Sequence, residues 1–285
     1  MTHSGCRLGL ALSGGGARGL AHIGVLKVLE QEGVPIDLLV GTSVGGLVGA
    51  LFACGLSAHE IEAEALHLCR LRQLVGLVDR SLPRRGLLRG ERVTSYLGRW
   101  LGDTTFEELS LPFAVIAVDL MSQKKVVLDR GSVLAAVRAS IAVPGIFAPV
   151  SNGEQMLVDG GLLDNLPIGV ARDKGADVVI GVDVSSDTAS ITHLISSLRS
   201  NRIARSMPLD TMTTMLLAMR LVVVEINTRA KQEAGPYISI EPQIPPMCSA
   251  FNGFTHAREL IGAGEAAARA ALPKIQSRAY HGTSS

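Results

Sequence analysis

The sequence predicts an α/β fold, a single domain whose parallel-rich central sheet carries helices on both faces. Three observations predict it. Short apolar runs at Leu8 to Ser13, Ile36 to Val40, Pro112 to Val118 and Asp177 to Val184 have the length and composition of strands buried on both sides. Segments with apolar residues at helical spacing lie between them, the alternation that builds β-α-β units. The first two runs also end in glycine-containing turns that lead straight into helix patterns. With 285 residues, 47% hydrophobic and 19% charged, the chain can bury a substantial core as one domain over residues 1–285.

In order, Leu8 to Ser13 breaks into Gly14-Gly15-Gly16-Ala17-Arg18-Gly19, followed by a helix with Ile23, Leu26 and Leu29 on one face. Gly33-Val34-Pro35 ends that helix. The second strand, interrupted only by Asp37, runs into Gly41-Thr42-Ser43-Val44-Gly45 and a helix-compatible run from Leu47 to Phe52. Ser57 and Glu60 have capping-box spacing and open a helix to about Leu71, with His59 and His67 on its surface. Residues 80–92 carry Arg80, Arg84, Arg85, Arg89 and Arg92 around Pro83, Gly86 and Gly90, a loop that reads as a solvated linker or as a contact for anionic lipid headgroups.

A helix from Glu91 to about Leu101 precedes the strand Pro112 to Val118, and Lys124 to Leu128 is its expected partner. A helix from Ser132 to about Ala142 stops at Pro144. Asn152-Gly153 between the apolar runs Phe147 to Val150 and Met156 to Val158 signals a hairpin whose return strand delivers Asp159-Gly160-Gly161. A short helix follows Pro167. The chain then turns helical over 190–280, with helices at about 190–206, 209–228 and Thr255 to Ala271 around a strand at Tyr237 to Ile240. Met212 to Val224 is apolar and rich in methionine, yet too short for a membrane span and interrupted by Arg220; a core-facing or lid helix is expected.

A formal net charge of +1 gives no reason to expect a nucleic acid partner. Cys6, Cys54, Cys69 and Cys248 show neither C-x-x-C pairing nor metal-ligand spacing, and no leader pattern opens the chain. Reduced thiols and a cytoplasmic location are therefore expected. No calcium-loop spacing is present either, so the expectation is chemistry without metal or cofactor.

Gly41-Thr42-Ser43-Val44-Gly45 is G-x-S-x-G between a strand and a helix, the pattern of a nucleophile elbow. A serine on so sharp a turn adopts a strained backbone, and flanking glycines remove collisions with the crossing chain. The turn aims the following N–H groups at charge that develops beside the hydroxyl. Gly14 to Gly19 can turn further N–H groups outward to hold an anion. Those residues also fit the dinucleotide pattern G-x-G-x-x-G, but Asp37 sits at the start of the second strand where the ribose acid belongs at its end. A phosphate loop fails because Leu20-Ala21 stands where Lys-Ser/Thr is needed. For a base, His193 and His256 both fall at helix beginnings, whereas Asp159 sits at a strand end with two glycines behind it.

Four blocks in order, Gly14-Gly15-Gly16-Ala17-Arg18-Gly19, Gly41-Thr42-Ser43-Val44-Gly45, Ala139-Ser140-Ile141-Ala142-Val143-Pro144-Gly145 and Asp159-Gly160-Gly161, resemble the patatin-like phospholipases over about residues 8–185. The resemblance implies a three-layer sandwich and a histidine-free Ser-Asp dyad. Ser43 would be the nucleophile, Asp159 the base and the glycine-arginine loop the oxyanion hole. It implies a lipid or acyl-ester substrate hydrolysed without calcium. Apart from the resemblance, the arginines of the 80–92 loop and the apolar 209–228 helix leave peripheral membrane contact as an option. The readings weighed against it are a non-catalytic regulatory protein of the same fold and a nucleotide-binding oxidoreductase.

Overall fold

The structure is a computed structural model that describes residues 6–69, 88–185, 209–248 and 253–281. Eight strands form one sheet: β1 (Leu8–Leu12), β2 (Leu38–Thr42), β3 (Phe113–Asp119), β4 (Lys124–Leu128), β5 (Val150–Asn152), β6 (Gln155–Asp159), β7 (Val178–Val182) and β8 (Ile238–Ile240). The order is β5-β6-β3-β2-β1-β7-β8, with β4 also paired to β3. Strands β3, β2, β1, β7 and β8 run parallel; β4 and β6 are antiparallel to β3.

The apolar strands alternate between two cores, as period-two side chains must. Leu8, Leu10, Leu12, Leu39, Val115, Ile180 and Val182 face the larger core, and Ala11, Leu38, Val40, Ala114, Ile116 and Val179 face the other. On the first face lie α1 (Leu20–Gln31), α2 (Val44–Ala53), α3 (Ala58–Leu68), α4 (Glu91–Leu101), α5 (Val133–Ser140) and α8 (Ala257–His281). On the second lies α6 (Ile168–Asp173), with α7 (Leu209–Glu233) packed against it. This is the expected parallel-rich sheet between two helical layers.

Local chemistry explains the boundaries. Ser57 and Glu60 form the anticipated reciprocal capping box at α3, and the Ser132 hydroxyl caps α5 by accepting from the Ala135 N–H. Helix α1 meets α8 at close range through two glycines. A Cβ added to Gly24 would run into the Ile261 carbonyl oxygen, and one on Gly264 into that of Ala21. Lys27 fastens the same helices by pairing with Glu62 of α3 at 2.7 Å and Glu265 of α8 at 2.5 Å.

Three expectations change. The β5–β6 turn is Gly153-Glu154, one residue later than Asn152-Gly153. Gly153 takes the positive φ of 60° at the first central position, which is what a type II′ turn demands. The last helix continues past Ala271 and through Pro273 to His281, because Ile275 beyond the proline is wholly buried in the main core. The 209–228 helix extends to Glu233 and is not core-facing at Leu221 and Val222, which are 64% and 49% exposed. The helix expected at 190–206 and most of the arginine-rich 80–92 loop lie outside the described residues.

Candidate active site

Both predicted reactive residues arrive at one edge of the sheet, and the strand register shows why. β4 pairs with Val115 to Asp119 along one edge of β3. The opposite edge is shared, β2 pairing up to Ile116 and β6 from Ala117 onward. β6 runs antiparallel, so its last residue, Asp159, ends where β2 ends. Ser43 is the residue immediately after β2.

Ser43 has φ 54° and ψ −124°, a region that costs a non-glycine residue roughly 1–3 kcal/mol. The turn is so tight that a Cβ on Gly45 would lie 2.6 Å from the Ser13 carbonyl oxygen, and one on Gly41 the same distance from that of Gly45. The strained turn points Ser43 Oγ at Asp159, to whose Oδ2 it donates at 2.6 Å. Asp159 Oδ1 accepts the Gly161 N–H at 2.8 Å. Burial raises the Asp159 carboxyl to about 6, against the lowering effect of these two hydrogen bonds. Asp159 is 6% exposed, while Ser43 is only partly buried.

The glycine loop follows β1 and becomes a short 3-10 turn over Gly16–Gly19. It lies where the strand order reverses between β2 and β7, the usual ligand crevice of an open parallel sheet. Gly15 is half-buried and Gly16 exposed, whereas Ala17, Arg18 and Gly19 are buried. Arg18 folds back, its Nε donating to the Gly15 carbonyl at 3.4 Å. One expectation is corrected here. The Gly14 N–H donates to the Asn165 carbonyl at 3.1 Å, so it is not directed at a ligand, and Gly14 holds the loop rather than lining an anion site.

Two residues without an assigned role emerge from the geometry. Ser140 Oγ, fully buried, accepts the Ser43 N–H at 2.8 Å and donates to the Ile116 carbonyl at 2.6 Å. Its neighbour Ala142 accepts the Asp159 N–H through its carbonyl at 3.0 Å, so the third sequence block supports both halves of the dyad. Asn165 returns a side-chain hydrogen bond to the Gly14 carbonyl at 3.4 Å, joining the loop after Asp159 to the glycine loop. Proximity to the Asp-Gly-Gly block was the available signal for Asn165.

Among the described residues, no histidine takes part in this geometry, and His193 lies outside them. His22 is fully buried with Nε2 against the Ser13 carbonyl at 2.8 Å, and burial pushes it down to about 4, which keeps the ring neutral. His256 Nδ1 pairs with Glu259 at 2.8 Å. Among the described residues, Cys248, His256 and Glu259 could hold a metal ion, their ligand atoms lying within 4.8 Å of one another.

Fold and site together define an α/β protein with a strained serine elbow bonded to a buried aspartate. The profile of the patatin-like phospholipase family matches residues 10–172, and the chain belongs to that family. An uncharacterized NTE family protein of Mycobacterium tuberculosis is 43% identical over 181 residues, covering 64% of this chain and 31% of that protein. The patatin-like phospholipase domain-containing protein 6 of Mus musculus is 37% identical over 187 residues, covering 64% of this chain and 14% of its own length. The match thus spans less than a third of either relative. Among solved structures, VipD from Legionella pneumophila shares the fold with a TM-score of 0.50 at 14% identity, covering 95% of this chain and 67% of VipD. No described helix is long and apolar enough to cross a membrane.

Proposed function

We propose that this chain is a serine acyl hydrolase acting on lipid esters, of phospholipase A or lysophospholipase type, with Ser43 as nucleophile and Asp159 as base. The observation that carries the reading is the 2.6 Å hydrogen bond from Ser43 Oγ to Asp159 Oδ2 on a positive-φ elbow. The family's name supplies the lipid ester as substrate class.

In the proposed cycle, Ser43 Oγ bonds to the ester carbonyl carbon as its proton passes to Asp159 Oδ2. The carbonyl oxygen becomes an oxyanion, held by backbone N–H groups of Gly15 to Ala17, ahead of those that close the 3-10 turn, and by the Val44 N–H at the head of α2. Each such donor is worth about a hundredfold to a thousandfold in rate. The carbon–oxygen bond to the alcohol then breaks, and Asp159 returns the proton to the leaving oxygen. Water repeats the sequence on the acyl-serine, releasing a carboxylic acid and regenerating the hydroxyl.

An aspartate near 4 is a weak base for a hydroxyl, and the raised value of about 6 brings it closer to its task. Gly41, Gly160 and Gly161 serve the turns that hold the pair. The test is turnover of acyl esters by Ser43→Ala and Asp159→Ala. Each is expected to lose nearly all activity while keeping its secondary structure, and full activity in either variant sinks the dyad.

A further inference from the structure

The turn joining β3 to β4 presents two large apolar side chains to solvent. Leu120 is 43% exposed and Met121 65%, at positions where a turn ordinarily carries polar residues. Met156 of β6, 40% exposed, stands beside them, because the Leu120 N–H donates to the Met156 carbonyl at 2.9 Å. The tip is fixed in place. Asp119, 3% exposed, accepts the N–H groups of Met121, Ser122 and Met156 and the Ser122 hydroxyl at 2.7–3.2 Å.

Register locates this tip relative to the chemistry. Asp159 lies opposite Ala117, and Leu120 lies three residues further along the same strand direction, roughly 10 Å beyond the dyad at the ordinary rise of a strand. Lys124 follows directly behind the tip, opposite Asp119. Lys125 pairs with Asp164 at 2.7 Å, beside Leu163, which is 45% exposed on the loop after Asp159. Glu154 occupies the turn of the adjacent hairpin, so cations do not dominate the patch, and apolar insertion supplies the binding.

We infer that the β3–β4 turn, with Met156, is a docking surface for a phospholipid bilayer: Leu120 and Met121 enter the acyl region while Lys124 meets the phosphates. A bilayer fits because the tip lies beyond Asp159 at the same end of the sheet and its apolar side chains are followed by Lys124, the order of layers in a membrane surface. Docked this way, the edge carrying Ser43 faces the lipid. The substrate side of the inference rests on the acyl-hydrolase reading; the docking itself does not.

The experiment separates the two. Cosedimentation with vesicles of mixed phosphatidylcholine and phosphatidylglycerol is measured on Ser43→Ala, which cannot consume them. Binding is expected, and Leu120→Ser with Met121→Ser should weaken it roughly tenfold or more. Met121→Trp on the same background should shift its emission to the blue when vesicles are added. With Ser43 intact, the double serine variant should keep the parent's turnover of a short, water-soluble ester. Absence of vesicle binding by the parent overturns the docking surface, as does unchanged binding by the double variant. Loss of binding only in Leu221→Ser with Val222→Ser moves the surface to α7 and overturns it equally. A parent that binds vesicles but turns over no ester contradicts the hydrolase reading and leaves docking supported.

Discussion

Asp159 is the residue whose environment says most about function. Its carboxyl is raised from 3.8 to about 6, so the folded protein holds this proton more tightly than the unfolded chain. Stability contributed by the protonated form is present below pH 4 and lost as pH rises toward 6; above that, burying the charge costs about 3 kcal/mol. Asp159→Asn should accordingly raise the denaturant midpoint at neutral pH, with the gain vanishing near pH 4. Activity should follow the opposite course, kcat/KM rising with pH through one ionisation near 6 and levelling above it. Ser140 acts through another residue. Ser140→Ala strips the acceptor from the Ser43 N–H, a loss of about 1–3 kcal/mol. It should lower kcat while leaving KM unchanged; a matched change in both would assign it a different role. Ser43 and Asp159 were legible as candidates because each sits in a local pattern, and the structure brings the two together. Ser140 was not, since its bond to Ser43 spans 97 residues and no local spacing encodes it.

Elements were legible wherever pattern and cap agreed, as at Ser57–Glu60 and in the apolar runs that became β1, β2, β3 and β7. They were less so where burial overrode a local rule. Pro273 stops a helix by itself, yet α8 passes through it because Ile275 lies in the core. The exposed apolar face of α7 was equally hidden, because a helical apolar run does not say which partner covers it. The α1–α8 crossing gives the sharpest element-scale expectation. Gly24→Ala places a methyl against the Ile261 carbonyl, backbone that cannot rotate away, so the helices must part. A loss of about 3 kcal/mol is expected in urea unfolding. An unchanged midpoint would mean that the crossing is looser than described.

Across the whole molecule, the parallel strands deliver the glycine loop and the serine elbow to one edge, and antiparallel β6 brings Asp159 back to meet them. Sequence order alone showed the blocks; the meeting depends on β2 and β6 sharing an edge of β3, and the sequence does not say which strands pair with β3. The edge that holds the dyad also carries the Leu120–Met121 tip, so chemistry and proposed docking face the same way. The account stands on Ser43 being a nucleophile activated by Asp159. Labelling with a fluorophosphonate, followed by peptide mass spectrometry, tests this most directly. It predicts one adduct on Ser43, absent in Ser43→Ala and formed far more slowly in Asp159→Asn; an adduct confined to another serine, or equal labelling in Asp159→Asn, would contradict it.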